Sequence, residues 1–565
     1  MKDAVLELSN VLECIEKRHS SAPYIGVIAG AYALWLGTVK KAVDIEDLSV
    51  FLKENEENEI IRMFLVAQLA KHWTEYRRHI TAFSPEQLKE LILTYKKVDY
   101  IRGAVFSAPE KLHELVIALL EIKDGESVAD MGVGVGDFLK KVHFAYPNAN
   151  LWGNEIATTA TAIAMIRGKF LDGKLTISQE DMFISQENTD KFDKIFCFPP
   201  WGLRLSIMPS AREFLAMQPP SLPVLKGTGS CEWIFALRML CSLKNNGKAA
   251  LLMANGGTFN LLDTPIRKYF VERGMISAVI ALPARILDFT GVASTIIIFG
   301  NDNTHIQMVD ATQLGNKGRR NVELTDADIS RIVRAVSGDE GEICKSVSKG
   351  EILANDSVLN PGRYLQKNIK LKNGVPFGSI IRSISRGASL SGSELDRLAS
   401  TTPTGFQYLM LSNIKEGFID DELPYLSEID PRWERFCLQP NDLILAKIGY
   451  PFKVAIASVM KQKIVANGNL FIIRLDETVA DPYYIKAFLE SETGITLLKS
   501  IAVGAAMPNL SAEAIRNMQI DLPPLEKQKV IANRYRAKQN EIVLLKRKLA
   551  QAKDSLGQIF ASTEE

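Results

Sequence analysis

A glycine-rich turn next to acidic residues is the first feature that suggests chemistry. In VADMGVGVGDFL, a predicted strand ends near Asp130 and runs into Gly132-x-Gly134-x-Gly136 at the start of a predicted helix. Glycines at such a turn let the backbone bend tightly and approach a ligand. Glu155 ends the next predicted strand, at an offset where a carboxylate can hold both ribose hydroxyls of a nucleoside. The pattern predicts a nucleoside-containing cofactor, with Asp130 accepting from a ligand amine.

A phosphate-bearing dinucleotide is the competing cofactor for this turn. A dehydrogenase would need a phosphate-cradling G-x-G-x-x-G, whereas this sequence has G-x-G-x-G-D, and we expect Asp137 to repel a pyrophosphate. S-adenosylmethionine carries no phosphate and therefore suits the turn better.

The segment Phe198-Pro199-Pro200-Trp201 follows a predicted strand, FDKIFC, and is the second chemical motif. Together with the glycine turn it resembles the amino-methyltransferases of DNA, whose motif is Asn or Asp, Pro, Pro and an aromatic residue. The resemblance implies that a flipped adenine stacks on Trp201. It also implies that the adenine amino group donates to the Asn or Asp side chain and to a carbonyl of the proline segment.

Phe198 occupies the Asn or Asp position and cannot accept that hydrogen bond. Loss of one preorganised polar partner at a reacting centre costs a factor of about 10²–10³ in rate, by analogy with oxyanion-hole deletions. Two interpretations stay open: a weakened enzyme, and a pseudo-enzyme that keeps cofactor and DNA binding without turnover.

The elements that position these motifs alternate between short apolar strands and helix-sized segments, a pattern typical of an α/β fold with a mainly parallel sheet. The predicted fold class is a Rossmann-like methyltransferase, preceded by a helical domain and followed by an α+β recognition domain and a long coiled-coil helix. The predicted strands are SVADMG, NLWGNEI, KLTISQ, FDKIFCF, GKAALLMA, MISAVIAL and ASTIIIFG. The predicted domains are a helical domain at 1–100, the methyltransferase domain at 101–336, a linker at 337–370, a target-recognition domain at 371–524 and a coiled-coil helix at 525–565.

Residues 101–335 resemble the methylating subunit of type I restriction-modification systems, an adenine-N6 DNA methyltransferase. The similarity includes VFSAPEKLHELVIALL, like the Phe-Thr-Pro segment that wraps over the cofactor, and EWIFALRMLCSLKNNGKAALLMANGGTF, like the later strands. The resemblance assigns cofactor contacts to Phe106, Asp130, Gly132, Gly134, Glu155 and Asp181. It also maps Phe289 loosely to a base-stacking position, for which a core aromatic is the alternative.

The C-terminal part resembles half of a type I specificity subunit. Six segments carry the similarity in order: PFGSIIRSISRG, LMLSNIKEGFID, LQPNDLILAKIGYPFKVAIA, NGNLFIIRL, PYYIKAFLES and GAAMPNLSAEAIRNMQIDLPPLEKQKVIA. The resemblance implies double-stranded DNA as the partner. Basic side chains position a duplex through its phosphates, and the candidates are Arg382, Arg386, Lys447 and Lys453.

The last helix carries an apolar seam that requires a partner helix. Its positions are spaced by alternating steps of three and four, as in a coiled coil: Ile542, Leu545, Leu549, Ala552, Leu556 and Ile559. The family has two recognition domains and two spacer helices, and this chain has one of each. We therefore expect a homodimer or a separate specificity protein. The sequence shows no P-loop, so any nuclease is expected to be a separate subunit.

Composition limits the remaining function classes. The net charge of the 565 residues is +1, so DNA binding must come from local basic patches. No apolar run reaches the roughly 18–20 residues of a membrane span, the first residues lack a signal-peptide pattern, and six scattered cysteines are typical of reduced thiols in a cytoplasmic protein. No histidine pair has metal-ligand spacing, so we expect no metal. An RNA or protein methyltransferase is a weaker alternative, because a DNA-recognition domain follows the catalytic one.

Overall fold

The computed structural model describes the chain except residues 1, 20–22, 43–44, 96–107, 185–190, 220–221, 223–228, 288, 320, 340, 366–370, 459–461, 503–507 and 562–565, and the side chains of 2–3, 23, 554 and 556–561. It divides into two compact units, Met1–Leu365 and Gln366–Glu565. In the described ranges, no helix is long and apolar enough to cross a membrane.

The first unit begins with six helices that we call the helical layer, residues 2–95. They are α1 (Lys2–His19), α2 (Pro23–Val39), α3 (Leu48–Asn55), α4 (Glu59–Leu69), α5 (Trp73–Tyr76) and α6 (Pro85–Thr94). Helix α6 begins with a capping box, in which Ser84 accepts from the Gln87 N–H while the Gln87 side chain accepts from the Ser84 N–H. The layer is part of the first unit rather than a separate one, since α2 and α4 pack against a helix of the following sheet.

The rest of the first unit is an α/β sheet covered by helices. The helices are α7 (Glu110–Leu120), α8 (Asp137–Ala145), α9 (Thr158–Gly168), α10 (Pro209–Ala216), α11 (Glu232–Cys241), α12 (Thr264–Glu272), α13 (Asp326–Val336) and α14 (Lys349–Ala354). The strands are β1 (Ser127–Met131), β2 (Asn150–Glu155), β3 (Leu175–Gln179), β4 (Phe192–Cys197), β5 (Leu243–Ala254), β6 (Ile276–Ala281), β7 (Ser294–Phe299), β8 (His305–Asp310), β9 (Asn316–Lys317), β10 (Val322–Glu323) and β11 (Cys344–Ser348).

Nine of these strands form one sheet in the order β11-β8-β6-β7-β5-β4-β1-β2-β3. The pairs from β3 through β5 are parallel, and β7 is inserted antiparallel between β5 and β6. Strand β7 is buried at every position, in keeping with its apolar run IIIF. All seven strands predicted from the sequence are present in this sheet.

The predicted linker at 337–370 is wrong over most of its length. Residues Cys344–Ser348 form β11, which pairs antiparallel with β8 at the sheet edge. Leu359 and Tyr364 are buried in the same core as β4 and β5. The first unit therefore extends to Leu365, because the sheet needs this segment to cover β8.

The second unit is α+β with a long terminal helix. Its strands are β12 (Gly374–Pro376), β13 (Ile381–Arg386), β14 (Ala399–Ser400), β15 (Phe406–Leu409), β16 (Ile414–Lys415), β17 (Phe418–Ile419), β18 (Tyr425–Leu426), β19 (Leu443–Ala446), β20 (Val454–Ile456), β21 (Lys463–Ala466), β22 (Leu470–Leu475) and β23 (Gln519–Asp521). Its helices are α15 (Gly392–Leu398), α16 (Pro482–Glu490), α17 (Glu492–Ile501), α18 (Ala512–Asn517) and α19 (Leu525–Ala561). Two four-stranded sheets, β13-β22-β19-β20 and β14-β18-β15-β21, build its core.

Candidate functional site

Strand β1 lies where the strand order of the main sheet reverses. The register pairs Met131 at the end of β1 with Asn154 of β2 on one side and with Cys197 of β4 on the other. Open α/β sheets bind ligands at the carboxyl ends of their strands at such a point. The glycine turn, Glu155 and the Pro-Pro-Trp segment therefore meet at one edge.

The glycine turn is fixed by main-chain bonds and by positive φ angles. The N–H groups of Gly132 and Val133 both donate to the Asn154 carbonyl, at 3.1 and 2.9 Å. Gly132 has φ +92° and Gly136 has φ +82°, a conformation that side chains other than glycine rarely adopt. A Cβ on Gly136 would lie 3.5 Å from the Ala164 Cβ, so the turn also packs closely on α9.

Glu155 is held against the same turn. Its Oε2 accepts from the Gly134 N–H at 3.0 Å, and its Oε1 accepts from the N–H groups of Ile156 and Ala157, both at 2.9 Å. A carboxylate oxygen can accept two hydrogen bonds, so Oε1 is fully used and Oε2 keeps one acceptor position. The carboxylate is therefore oriented by the backbone and can still accept from a ligand hydroxyl.

Asp130 is buried beside the turn. Its Oδ1 and the Oδ1 of Asn154 have no hydrogen-bond partner among the described residues. Burial, with the charges of Glu155 and Asp137 adding to it, raises the pKa of the Asp130 carboxyl well above its ordinary value. Buried acceptors without partners are costly, and a ligand that donates hydrogen bonds here would remove that cost.

Asp181 follows β3 and is held in place by two partners. Its Oδ1 accepts from the Phe183 N–H at 3.0 Å, and its Oδ2 accepts from the Ser210 hydroxyl at 2.5 Å. Ser210 lies on α10, so this bond joins the end of β3 to the helix that follows the Pro-Pro-Trp segment.

The other half of the site is aromatic. The half-buried Phe198 ring contacts the Trp201 ring edge-on, with centroids 5.7 Å apart, and it stacks with Phe289 at 6.3 Å. Trp201 Nε1 donates to the Leu252 carbonyl at 3.3 Å, which fixes the indole. Phe289 therefore joins the aromatic cluster, and it is not a fully buried core residue.

One cavity of about 980 Å³ joins both halves. The predicted site residues that line it are Gly132, Gly134, Glu155, Asp181, Phe198, Pro199, Pro200, Trp201 and Phe289. Asp130 lies buried behind the turn rather than in the lining, and Phe106 is outside the described residues.

The predicted role of Asp137 in excluding phosphate is wrong. Asp137 faces the interior rather than a ligand and accepts from Arg167 and Lys140, at 3.0 and 2.9 Å. Burial alone would raise the pKa of Asp137, but these two cations hold this pKa well below its ordinary value. The carboxylate is paired with two cations of the protein, so it is not available to repel a bound pyrophosphate as predicted.

The basic residues predicted to contact DNA lie in the second unit. Arg386 donates to the Gly468 carbonyl, Lys447 to Asn509 Oδ1 at 2.9 Å, and Lys453 to the Leu411 carbonyl at 3.0 Å. Arg382 is paired with Asp476 at 2.9 Å. Burial and the nearby charge of Arg386 lower the pKa of Lys447, so these two form a basic pair.

Residues 89–372 match the N-6 DNA methylase family, over half of the chain. The chain belongs to the N-6 DNA methylase family. Residues 433–554 match the type I restriction modification DNA specificity domain, so a specificity domain follows the methylase domain.

Two curated relatives are methylase subunits of type I restriction enzymes. The chain is 26% identical over 315 residues to the HindI methylase subunit of Haemophilus influenzae, covering 50% of this chain and 68% of the relative. It is 24% identical over 347 residues to the MjaVIII methylase subunit of Methanocaldococcus jannaschii, covering 56% of each. The chain thus spans about two thirds of the first relative and just over half of the second. Among solved structures, the methyltransferase subunit of a type I system from Streptococcus thermophilus is 19% identical with a TM-score of 0.49, over 63% of this chain and 98% of that one.

Several site residues of this methylase were not predicted from the sequence. Ser210 holds Asp181, and the Glu232 carboxyl accepts from the Gly202 N–H directly after Trp201, where burial raises the pKa of Glu232. Neither residue has a local sequence signal, because both act on segments that are distant along the chain. Phe183 also lines the cavity, and its position two residues after Asp181 is a local sequence signal for it.

Proposed function

We propose that this chain binds S-adenosylmethionine and double-stranded DNA and methylates adenine N6 slowly, within a cytoplasmic restriction-modification system. The observation that carries the proposal is the single cavity that joins the glycine turn and its acids to the Pro-Pro-Trp segment. A methyltransferase needs a cofactor and a base in one enclosed space, and a flipped base enters such a pocket.

The polar half of the cavity fits the cofactor by its donors and acceptors. In the lining, the free acceptor position of Glu155 Oε2 suits a ribose hydroxyl, and Asp181 suits the adenine amino group. Behind the glycine turn, the unpartnered Asp130 Oδ1 suits an amine. Gly132 and Gly134 leave the backbone uncovered at the same edge. When bound, S-adenosylmethionine supplies the activated methyl group.

The aromatic half fits a base by stacking and offers it few acceptors. Trp201 is held by Leu252 and Phe289 lies opposite Phe198, so flat apolar surfaces are available. The carbonyls of the Phe198-Pro199 segment remain as acceptors for the adenine amino group, and no side-chain acceptor stands at position 198. We therefore expect transfer about 10²–10³ times slower than with Asn or Asp at this position.

Phe198 also favours a second candidate function. A chain that stacks a base but offers no side-chain acceptor to its amino group would act as a cofactor-dependent DNA-binding module. It would mark a site or assemble a nuclease held by another protein. The two candidates share every residue of the site and differ only in turnover.

DNA recognition and assembly are proposed for the second unit. The basic pair Arg386–Lys447 would contact phosphates, together with Lys453, while Arg382 is already neutralised by Asp476. Helix α19 exposes Ile542, Leu545 and Leu549 at 42 to 57% of their surface, so these three seam positions are uncovered among the described residues of the second unit. We propose that a second copy of the chain, or a separate specificity protein, packs on this seam.

The test is to produce the full chain in cells that lack adenine methylation and to sequence their DNA for N6-methyladenine. Calorimetry with S-adenosylmethionine is run on the same protein, with Asp181→Asn as the matched cofactor-site control. A methylated motif supports the enzyme, and cofactor binding without methylation supports the binding module. If the chain does not bind the cofactor, or binds it no better than Asp181→Asn, both candidates are rejected.

A further inference from the structure

Two buried cations, from helices α8 and α9 that cover the main sheet, bind the C-terminal end of helix α6. Arg167 Nε donates to the Ile92 carbonyl at 3.1 Å, and Lys140 Nζ donates to the Leu93 carbonyl at 2.7 Å. Arg167 Nη2 donates to the Tyr95 carbonyl at 3.1 Å. The last carbonyls of a helix have no partner within it and carry partial negative charge. The two cations therefore satisfy the end of the helical layer.

The same guanidinium also holds the glycine turn. Arg167 Nη1 donates to the Val135 carbonyl and to Asp137 Oδ1, both at 3.0 Å, and Nη2 donates to the Tyr24 hydroxyl at 3.2 Å. All five N–H groups of a side chain that is only 1% exposed are used in this way.

The glycine turn also packs against the helical layer through Val135. The Val135 side chain is buried in the core of the helical layer, with Ile163 and Ile166 of α9 in the same cluster. On the opposite side of the turn, the Gly134 N–H orients Glu155 in the cavity. On one side the glycine turn therefore contacts Arg167 and the helical layer. On the other side it contacts Glu155, whose carboxylate is proposed to bind the cofactor.

We propose that Arg167 is a positioning residue for cofactor binding, through which docking of the helical layer sets the conformation of the glycine turn. It contacts neither the cofactor nor the base, and acts by holding Val135 and Asp137. Coupling between two sites is reciprocal, so cofactor binding should tighten the docking of α6 in return. This inference rests on the proposed cofactor site.

The test compares Arg167→Met with Arg267→Met in the full chain. Arg267 is an equally buried arginine that donates to the carbonyls of Ser357, Gly257 and Asn260, away from the turn. The measurements are the thermal midpoint, the Kd for S-adenosylmethionine by calorimetry, and hydrogen exchange of peptides covering 132–137 without cofactor. Arg167→Lys, which keeps the charge but not the planar fork, is the milder variant if the methionine variant does not fold.

Both methionine variants should lose stability, because each leaves several buried carbonyls without donors. Only Arg167→Met, or Arg167→Lys in its place, should speed exchange at 132–137 and weaken cofactor binding by about tenfold or more, the effect of losing one charge-assisted hydrogen bond. An unchanged Kd and unchanged exchange at 132–137 would show that Arg167 is structural only. If the natural chain binds no cofactor, the proposed function fails, while the exchange comparison still decides whether Arg167 orders the turn.

Discussion

The rings of Phe198 and Phe289 face each other with centroids 6.3 Å apart and planes inclined by 25°. For a third ring to fit between them, the two rings would have to be about 7–8 Å apart, which is twice the distance of an ordinary carbon contact. A base can therefore enter this space only if one of the two rings moves. Phe198 both removes an acceptor and narrows the aromatic half of the cavity.

Replacing Phe198 with Asn should restore methyl transfer. The amide oxygen accepts from the adenine amino group and the smaller side chain widens the gap to Phe289, so we expect a gain of about 10²–10³ in rate. The measurement is single-turnover methylation of the motif found by sequencing. Phe198→Leu is the control, because it widens the gap without adding an acceptor. A gain of equal size in the leucine variant would show that crowding, and not the missing acceptor, limits turnover.

Asp130 should make the unliganded chain less stable as the pH rises. Its pKa is raised in the folded state above the ordinary value of about 3.9, so its contribution is fully present below pH 4 and is lost as the pH rises through the folded pKa. Asp130→Asn should therefore raise the thermal midpoint at pH 8 more than at pH 5, and weaken S-adenosylmethionine binding. An equal change in midpoint at both pH values would contradict the assignment.

Asp193 provides a control, because its pKa is shifted in the opposite direction from that of Asp130. Burial alone would raise the pKa of Asp193, but the bonds to Lys244 and Ser127 lower this pKa to about 2. Its stabilisation is present above pH 4 and lost as the pH falls toward 2. Asp193→Asn should thus lower the midpoint at both pH 5 and pH 8 by the same amount.

The basic pair Arg386–Lys447 should carry part of the salt dependence of DNA binding. Each phosphate contact contributes about 0.9 to the slope of log K against log salt concentration. Replacing both residues with Gln should reduce that slope by about two, whereas Arg382→Gln should leave it nearly unchanged, since Asp476 already pairs with Arg382. Fluorescence anisotropy over a salt series measures the slope. If the double variant and Arg382→Gln change the slope equally, the pair does not contact the DNA.

The seam of helix α19 should control oligomeric state. Leu545 and Leu549 are more than half exposed, and a Glu at each would place charge in a helix–helix interface. Light scattering at micromolar concentration should show a dimer for the natural chain and a monomer for the double variant. Lys553→Glu, an exposed change off the seam, should leave the dimer intact. A natural chain that is monomeric both free and on DNA would exclude the homodimer.

The parts of the fold that were predicted correctly are those with local signals. The strands that end at Met131 and Cys197 are short apolar runs followed within two residues by glycine or proline, so their ends follow from the sequence. Strand β2 ends at Glu155, as predicted. Family membership was likewise predicted from motif order, although the roles of the individual site residues remain predictions.

The parts that were missed depend on contacts between distant segments. Strand β11, with the sequence CKSVS, has only two buried residues, Cys344 and Val347, with two half-exposed residues between them, so nothing in it indicates a place in the main sheet. The burial of Asp137 could not be foreseen either. Its partner Arg167 lies 30 positions away and is itself bound to the helical layer.

The antiparallel edge strand β11 has a consequence for any shortened form of the protein. A chain cut at 336, where the sequence suggested that the domain ends, would lack Cys344–Ser348 and leave the backbone groups along one side of β8 unpaired. An open edge of this kind recruits strands from other molecules. Such a fragment should aggregate, whereas a fragment that ends at 365 keeps β8 covered. The C-terminal boundary of the methylase unit therefore has to lie after the strand that protects the edge of its sheet.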